Sequence, residues 1–188
     1  MSIRTNILHY SRPLTVAMGK VQLPPKKITG KHYFEIVKKV SLIPGLIFLS
    51  HTDWELSNFF IPGKWGHAAI MFDKETILEA VTSGVRKIDL ISFLTSKDDI
   101  CILKPSFCNL MDMLAAATWA SGMEGLPYDY ELCPGDRAFY CSELVFEAYN
   151  SAFKGSLPFE RGKIMGEYTY SPQNFYDDPI NWPKLYEA

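Results

Sequence analysis

His67-Ala68-Ala69-Ile70-Met71-Phe72, followed by Asp73-Lys74-Glu75 and then Thr76-Ile77-Leu78-Glu79-Ala80-Val81, is the stretch that decides the fold. Two short apolar runs flank a polar break. Runs of this length suit strands, and the break suits a turn, so the segment reads as an antiparallel hairpin. Working outward, Ser83-Gly84 is a second turn and Val85 to Leu90 a third strand. Asp99 to Lys104 reads as a fourth, ended by Pro105. Upstream, Pro44-Gly45 punctuates the chain before a buried strand at Leu46-Ile47-Phe48-Leu49.

Helical spacing appears on both sides of this β-rich centre. Between Lys31 and Val40, apolar residues fall at Tyr33, Phe34, Ile36, Val37 and Val40. Asn109 can cap a helix carrying Leu110, Met113, Leu114, Ala117 and Ala120, with Gly122 as its stop. Gly125 to Tyr130 is a loop, and Cys141 to Tyr149 is helical, with Leu144, Val145, Ala148 and Tyr149 on one face. Ser171-Pro172 can start a short helix, with serine as cap and proline at the first position. The class is α+β: an antiparallel, small barrel-like sheet packed against helices gathered on one side. Residues 1–188 read as one domain, with a core of about 30–155, an irregular N-terminal extension over 1–28 and a proline- and aromatic-rich tail over 156–188.

Composition narrows the function. Hydrophobic residues are 47% and charged residues 21%, which suits a globular chain able to build its own core. Net charge is −2 and pI about 6.1, which gives no support to nucleic acid as a partner. No apolar run approaches the length of a membrane span. Met1 to Lys20 lacks the continuous apolar core of a signal peptide, so a cytoplasmic, reducing setting with free thiols is expected. Cys101, Cys108, Cys133 and Cys141 form no CxxC pair, and His9, His32, His51 and His67 form no HxxxH or HExxH pattern. No metal and no cofactor is expected.

Cys141 stands where loop becomes helix. A helix N-terminus carries about half a positive charge and free N–H donors, which lower a thiol's pKa and can bind an oxyanion. An isolated cysteine is more often a small buried hydrophobe, and Cys101 and Cys108 fit that description. His67 opens a strand directly after Gly63-Lys64-Trp65-Gly66, a position that is both rigid and reachable, although a strand-end histidine is commonly just a surface residue. His51 competes with it. Glu79 lies twelve residues after His67, in the next strand, and is the one charge in an apolar run. A buried carboxylate there needs a partner, while alternation alone would as readily point it to solvent.

These blocks occur together in a known family. The chain resembles the circularly permuted NlpC/P60-like enzymes of the papain-like superfamily, in particular the YiiX/YebB-like group. Pro44-Gly45-Leu46-Ile47-Phe48-Leu49 is similar to the family's opening strand, with Leu46 in place of its usual aspartate. Trp65-Gly66-His67-Ala68-Ala69-Ile70 resembles the histidine block, and Ile77-Leu78-Glu79-Ala80 the acidic strand. Gly125-Leu126-Pro127-Tyr128-Asp129 and Phe139-Tyr140-Cys141-Ser142-Glu143-Leu144-Val145 resemble the Gly-x-x-Tyr-Asp loop and the nucleophile helix. The match covers about 44–150, with weaker similarity at Ser171-Pro172.

The resemblance implies a permuted papain-like fold in which histidine precedes cysteine. It implies Cys141 as nucleophile, His67 as general base and then acid, and Glu79 as the orienting residue. It also implies an oxyanion hole using the Cys141 backbone N–H, and substrate contacts among Tyr128, Tyr140, Trp65 and Asp129. The expected reaction is thioester-mediated hydrolysis of a small peptide or amino-acid amide, cell-wall fragments included. A lipid acyltransferase or thiolesterase of the same superfamily is the first alternative, and a binding module that keeps the fold without turnover is the second. Lys64, Arg86 and Asp129 are charges near the site blocks that either touch substrate or are simply solvated loop charges.

Overall fold

The computed structural model describes residues 27–53, 61, 63–132, 137–154, 157, 159, 161–164 and 167–188. Nearly all of the 1–28 extension, and Cys133, lie outside them. Six strands form one sheet: β1 (Ile47–His51), β2 (His67–Met71), β3 (Thr76–Val81), β4 (Gly84–Asp89), β5 (Asp99–Leu103) and β8 (Lys184–Glu187). Their order is β4-β3-β2-β1-β5-β8, and every pairing is antiparallel. A separate hairpin joins β6 (Gly162–Ile164) to β7 (Glu167–Thr169). The helices are α1 (Gly30–Lys39), α2 (Leu90–Thr95), α3 (Leu110–Gly122), α4 (Cys141–Ala152) and α5 (Pro172–Tyr176).

The expected antiparallel hairpin forms as β2 and β3. Both predicted caps are in place. Asn109 Oδ1 accepts from the N–H groups of Met111 and Asp112, at 2.7 and 3.1 Å, and Ser171 Oγ accepts from Gln173 N at 3.2 Å. These bonds satisfy N–H groups that the first helical turn leaves without partners.

The expected antiparallel sheet packed against helices is present, and its central strand is buried on both faces. Ile47, Phe48 and Leu49 point alternately up and down, and all three are fully buried. Phe93 of α2 packs edge-on against Phe48, with centroids 6.0 Å apart. α4 packs on α3 and across β2 and β3. Burial of side chains such as Phe48 and Leu49 stabilises the fold by about 1.5–3 kcal/mol each.

Gly45 ties helices to sheet. Its φ is +86°, and an added Cβ would lie 2.7 Å from both the Cβ and the carbonyl oxygen of Met113 in α3. The Gly45 carbonyl accepts a hydrogen bond from the buried Tyr149 hydroxyl of α4. Gly45, two residues before β1, thus fixes both long helices against the strand.

Candidate active site

Strand register builds the site. β2 begins at His67, which pairs with Ser50 of β1. In the β2–β3 pairing Ile70 faces Leu78, which puts Glu79 on the same face as His67, one diagonal step away. In the β3–β4 pairing Glu79 faces Arg86 directly. The three side chains form a row across three strands. Glu79 Oε2 lies 2.9 Å from His67 Nε2, and Glu79 Oε1 accepts from Arg86 Nε and Nη2 at 2.9 and 2.7 Å. Glu79 is 1% exposed, so both oxygens are served inside the protein.

Cys141 is the first residue of α4, and Tyr140 is its N-cap. The thiol is buried, and the His67 imidazole acts on it. With Nε2 taken by Glu79, Nδ1 is the ring nitrogen left for sulfur. The Ala68 backbone N–H also donates to sulfur. Ser142 Oγ, 4.0 Å from Sγ, is held by the Tyr170 carbonyl at 2.7 Å.

The electrostatics follow from this geometry. Burial alone would push the Cys141 thiol up. The hydrogen bond and charge of His67, with the Ala68 N–H, outweigh it and hold the thiol below its ordinary value. Burial and the Lys97 charge alone would lower His67, but its bonds to Cys141 and Glu79 raise it to about 9. Glu79 resists the upward push of burial and is held at about 2, mainly by His67, with Lys97 and Arg86 adding to the effect. The other described thiols go the opposite way. Burial raises Cys101 to about 12 and Cys108 to about 11.

The remaining predicted residues have other places. Trp65 is fully buried against Tyr176, with no surface to offer a substrate, so its contact is with the core. The Tyr140 hydroxyl is taken by Thr169 Oγ1 and by Tyr170 N at 3.0 Å, which makes it a tie to the tail rather than a substrate contact. Asp129 is buried, and its Oδ1 accepts from Glu131 N at 2.8 Å. Tyr128 is bridged to Phe139, and its ring meets Tyr130 edge-on. These two residues stitch the Gly125–Tyr130 loop to the segment that precedes Cys141.

His51 points away from Cys141, since its neighbour Ser50 shares the face of His67. Its Nε2 lies 3.1 Å from Asp53 Oδ1. His51, Asp53 and Asp99 bring one ligand-type atom each within 4.8 Å of one another. Both carboxylates already carry ammonium partners, however: Lys27 on Asp53 at 2.9 Å and Lys64 on Asp99 at 3.5 Å. The cluster is an ion-pair network as it stands.

The turn after β3 falls at Thr82-Ser83, one residue before the expected Ser83-Gly84, and that shift is what sets Arg86 opposite Glu79. Lys97 and Phe93, which approach His67 from α2 and the loop after it, carried no signal in the sequence reading.

Comparison with known proteins bears on the fold and the family. The solved structure of the metalloprotein YiiX from Escherichia coli O157:H7 superposes with a TM-score of 0.66 at 19% identity, covering 78% of this chain and 97% of that one. No curated protein sequence matches. No helix among the described residues is long and apolar enough to cross a membrane. The model of the permuted papain-like amidases, YaeF/YiiX, C92 family, matches residues 41–186, and the chain belongs to that family.

Proposed function

We propose that this amidase acts on small peptides or amino-acid amides, cell-wall fragments among them, with Cys141 as nucleophile, His67 as general base and then acid, and Glu79 as the residue that orients the imidazole. The observation that carries the reading is the His67 imidazole held by Glu79 at 2.9 Å and acting on a buried Cys141 thiol that it keeps below its ordinary value, with sulfur at the start of α4.

The thiolate adds to the amide carbonyl carbon, and the carbonyl oxygen becomes an oxyanion. First-turn N–H groups of α4, that of Cys141 among them, donate to it. The C–N bond then breaks as His67 gives its Nδ1 proton to the leaving amine, and a thioester remains. Water next loses a proton to His67 and attacks the thioester carbon. The C–S bond breaks, the acid product leaves, and the thiolate–imidazolium pair returns. Glu79 stays ionised throughout, stabilising the imidazolium and fixing which nitrogen faces sulfur.

Limiting iodoacetamide near neutral or mildly acidic pH, read by peptide mass spectrometry, tests this directly. Cys141 should be alkylated at least ~10-fold faster than Cys101 or Cys108, and more slowly in His67→Ala. Labelling of Cys141 no faster than the other thiols, and indifferent to His67, would reject the reading.

A further inference from the structure

We propose that Lys97 is a specificity residue that receives a carboxylate of the substrate beside the scissile bond; this rests on the catalytic role proposed for Cys141 and names the substrate class of that site.

Lys97 lies between α2 and β5. Its Nζ stands 5.1 Å from the centroid of the Phe93 ring, and that ring, fully buried, stands 6.3 Å from the imidazole of His67. An ammonium, a phenyl ring and the imidazole are therefore clustered at one end of the sheet. The charge of Lys97 acts on both His67 and Glu79.

Lys97 differs from several of the other lysines in having no carboxylate of its own. Lys27 is paired with Asp53, Lys64 with Asp99 and Glu187, Lys87 with Glu124 and Lys184 with Glu187. Among the described residues Lys97 forms no ion pair. The acids nearest in sequence are engaged elsewhere. The Asp98 oxygens accept from the backbone N–H groups of Lys27 and Asp53, and Asp99 faces Lys64. Glu143, in the first turn of α4, accepts from Tyr140 N.

Charge pairing around the reacting sulfur leaves Lys97 over. The Cys141 thiolate is matched by the His67 imidazolium, and Glu79 by Arg86. A half-buried, unmatched ammonium beside a wall of low dielectric attracts an anion more strongly than a solvated one does. A carboxylate on the substrate completes the pairing and places the amide next to sulfur.

Two alkylating reagents of nearly equal shape separate the possibilities. Iodoacetate carries a carboxylate and iodoacetamide does not. Their rate ratio at Cys141 is divided by the same ratio for N-acetylcysteinamide. The wild-type value should be ~3–10-fold above unity at low salt, as expected for one charge at short range in a partly shielded site. It should fall towards unity in Lys97→Met, hold in Lys97→Arg, and decline as salt is added to the wild type. An equal normalised ratio in wild type and Lys97→Met overturns the proposal. So does a wild-type ratio that ignores salt, a result available even if the Met variant does not fold. Both reagents use the same sulfur, so a Cys141 of ordinary absolute reactivity would reject the catalytic role while the ratio still reports on Lys97.

Discussion

His67 and Glu79 meet across β2 and β3 with 2.9 Å between Nε2 and Oε2, and the carboxylate is sealed from solvent behind the imidazole. Such a contact fixes ring orientation and tautomer together. Glu79→Gln keeps the shape but brings an amide N–H into a place built for two acceptors. Amide hydrolysis should fall ~10²–10⁴-fold in kcat. Alkylation of Cys141 under mildly acidic conditions should slow as well. The unfolding temperature should drop, because Arg86 loses its carboxylate. Wild-type alkylation in this variant would remove Glu79 from the orienting role.

Stability should depend on pH in two directions. Glu79 is held at about 2 in the folded chain, below its ordinary 4.5, so its contribution is present above that ordinary value and lost as pH falls through about 2. On the scale of about 1.4 kcal/mol per unit, the contribution is on the order of 3 kcal/mol. Cys141, also held low, works on the thiol range: its contribution is full above the ordinary 9.0 and is lost as pH falls through its lowered value, against the trend of His67. His67, raised from 6.5 to about 9, contributes below 6.5 and loses that contribution as pH rises through about 9. Thermal unfolding across pH should therefore lose the Glu79 contribution below 4.5 and the His67 contribution above 6.5. Glu79→Gln should make the acid limb shallower, and His67→Gln the alkaline limb. The rate of amide hydrolysis, as kcat/KM, should lose activity on the alkaline side near pH 9. Limbs unchanged by these substitutions would mean that other groups set them.

Two glycine substitutions should part company. Gly45→Ala places a methyl group 2.7 Å from Met113 at a φ of +86°, and should cost about 2–4 kcal/mol in urea unfolding. Gly30→Ala, at the first position of α1, meets nothing within 4 Å and should be neutral or stabilising by up to about 1 kcal/mol. A mild Gly45→Ala would mean that α3 can draw back from the turn into β1.

The main elements were legible because their signals were local. The apolar runs at 67–72 and 76–81 and the caps at Asn109 and Ser171 announce themselves within a few residues. The row of His67 and Glu79 followed from hairpin register. Other elements did not. α2 is only six residues long, and its apolar positions at Leu90, Phe93 and Leu94 run on directly from the strand before it. In β8 only Tyr186 is buried, so the alternation that marks a strand is nearly absent. The substrate-contact reading of Trp65 and Tyr140 failed for a common reason. Aromatic residues beside catalytic ones in sequence can equally well be the supports beneath them, and burial, which decides between the two, is a property of distant chain. Lys97 was invisible for the same reason: its place over the Phe93 ring depends on how α2 folds back over Phe48.

The segment that follows β7 reaches back to both halves of the site. Thr169 and Tyr170 bond the hydroxyl of Tyr140, just before Cys141, and Gln173 Oε1 accepts from the backbone N–H groups of Lys64 and Trp65, just before His67. A ribosome delivers these clasping residues after it has delivered Cys141 and His67. The partial chain that emerges first lacks the ties that hold sulfur and imidazole in place, and such distant ties are slow to form. Reactivity therefore comes late in the life of each new molecule, once the clasp has closed.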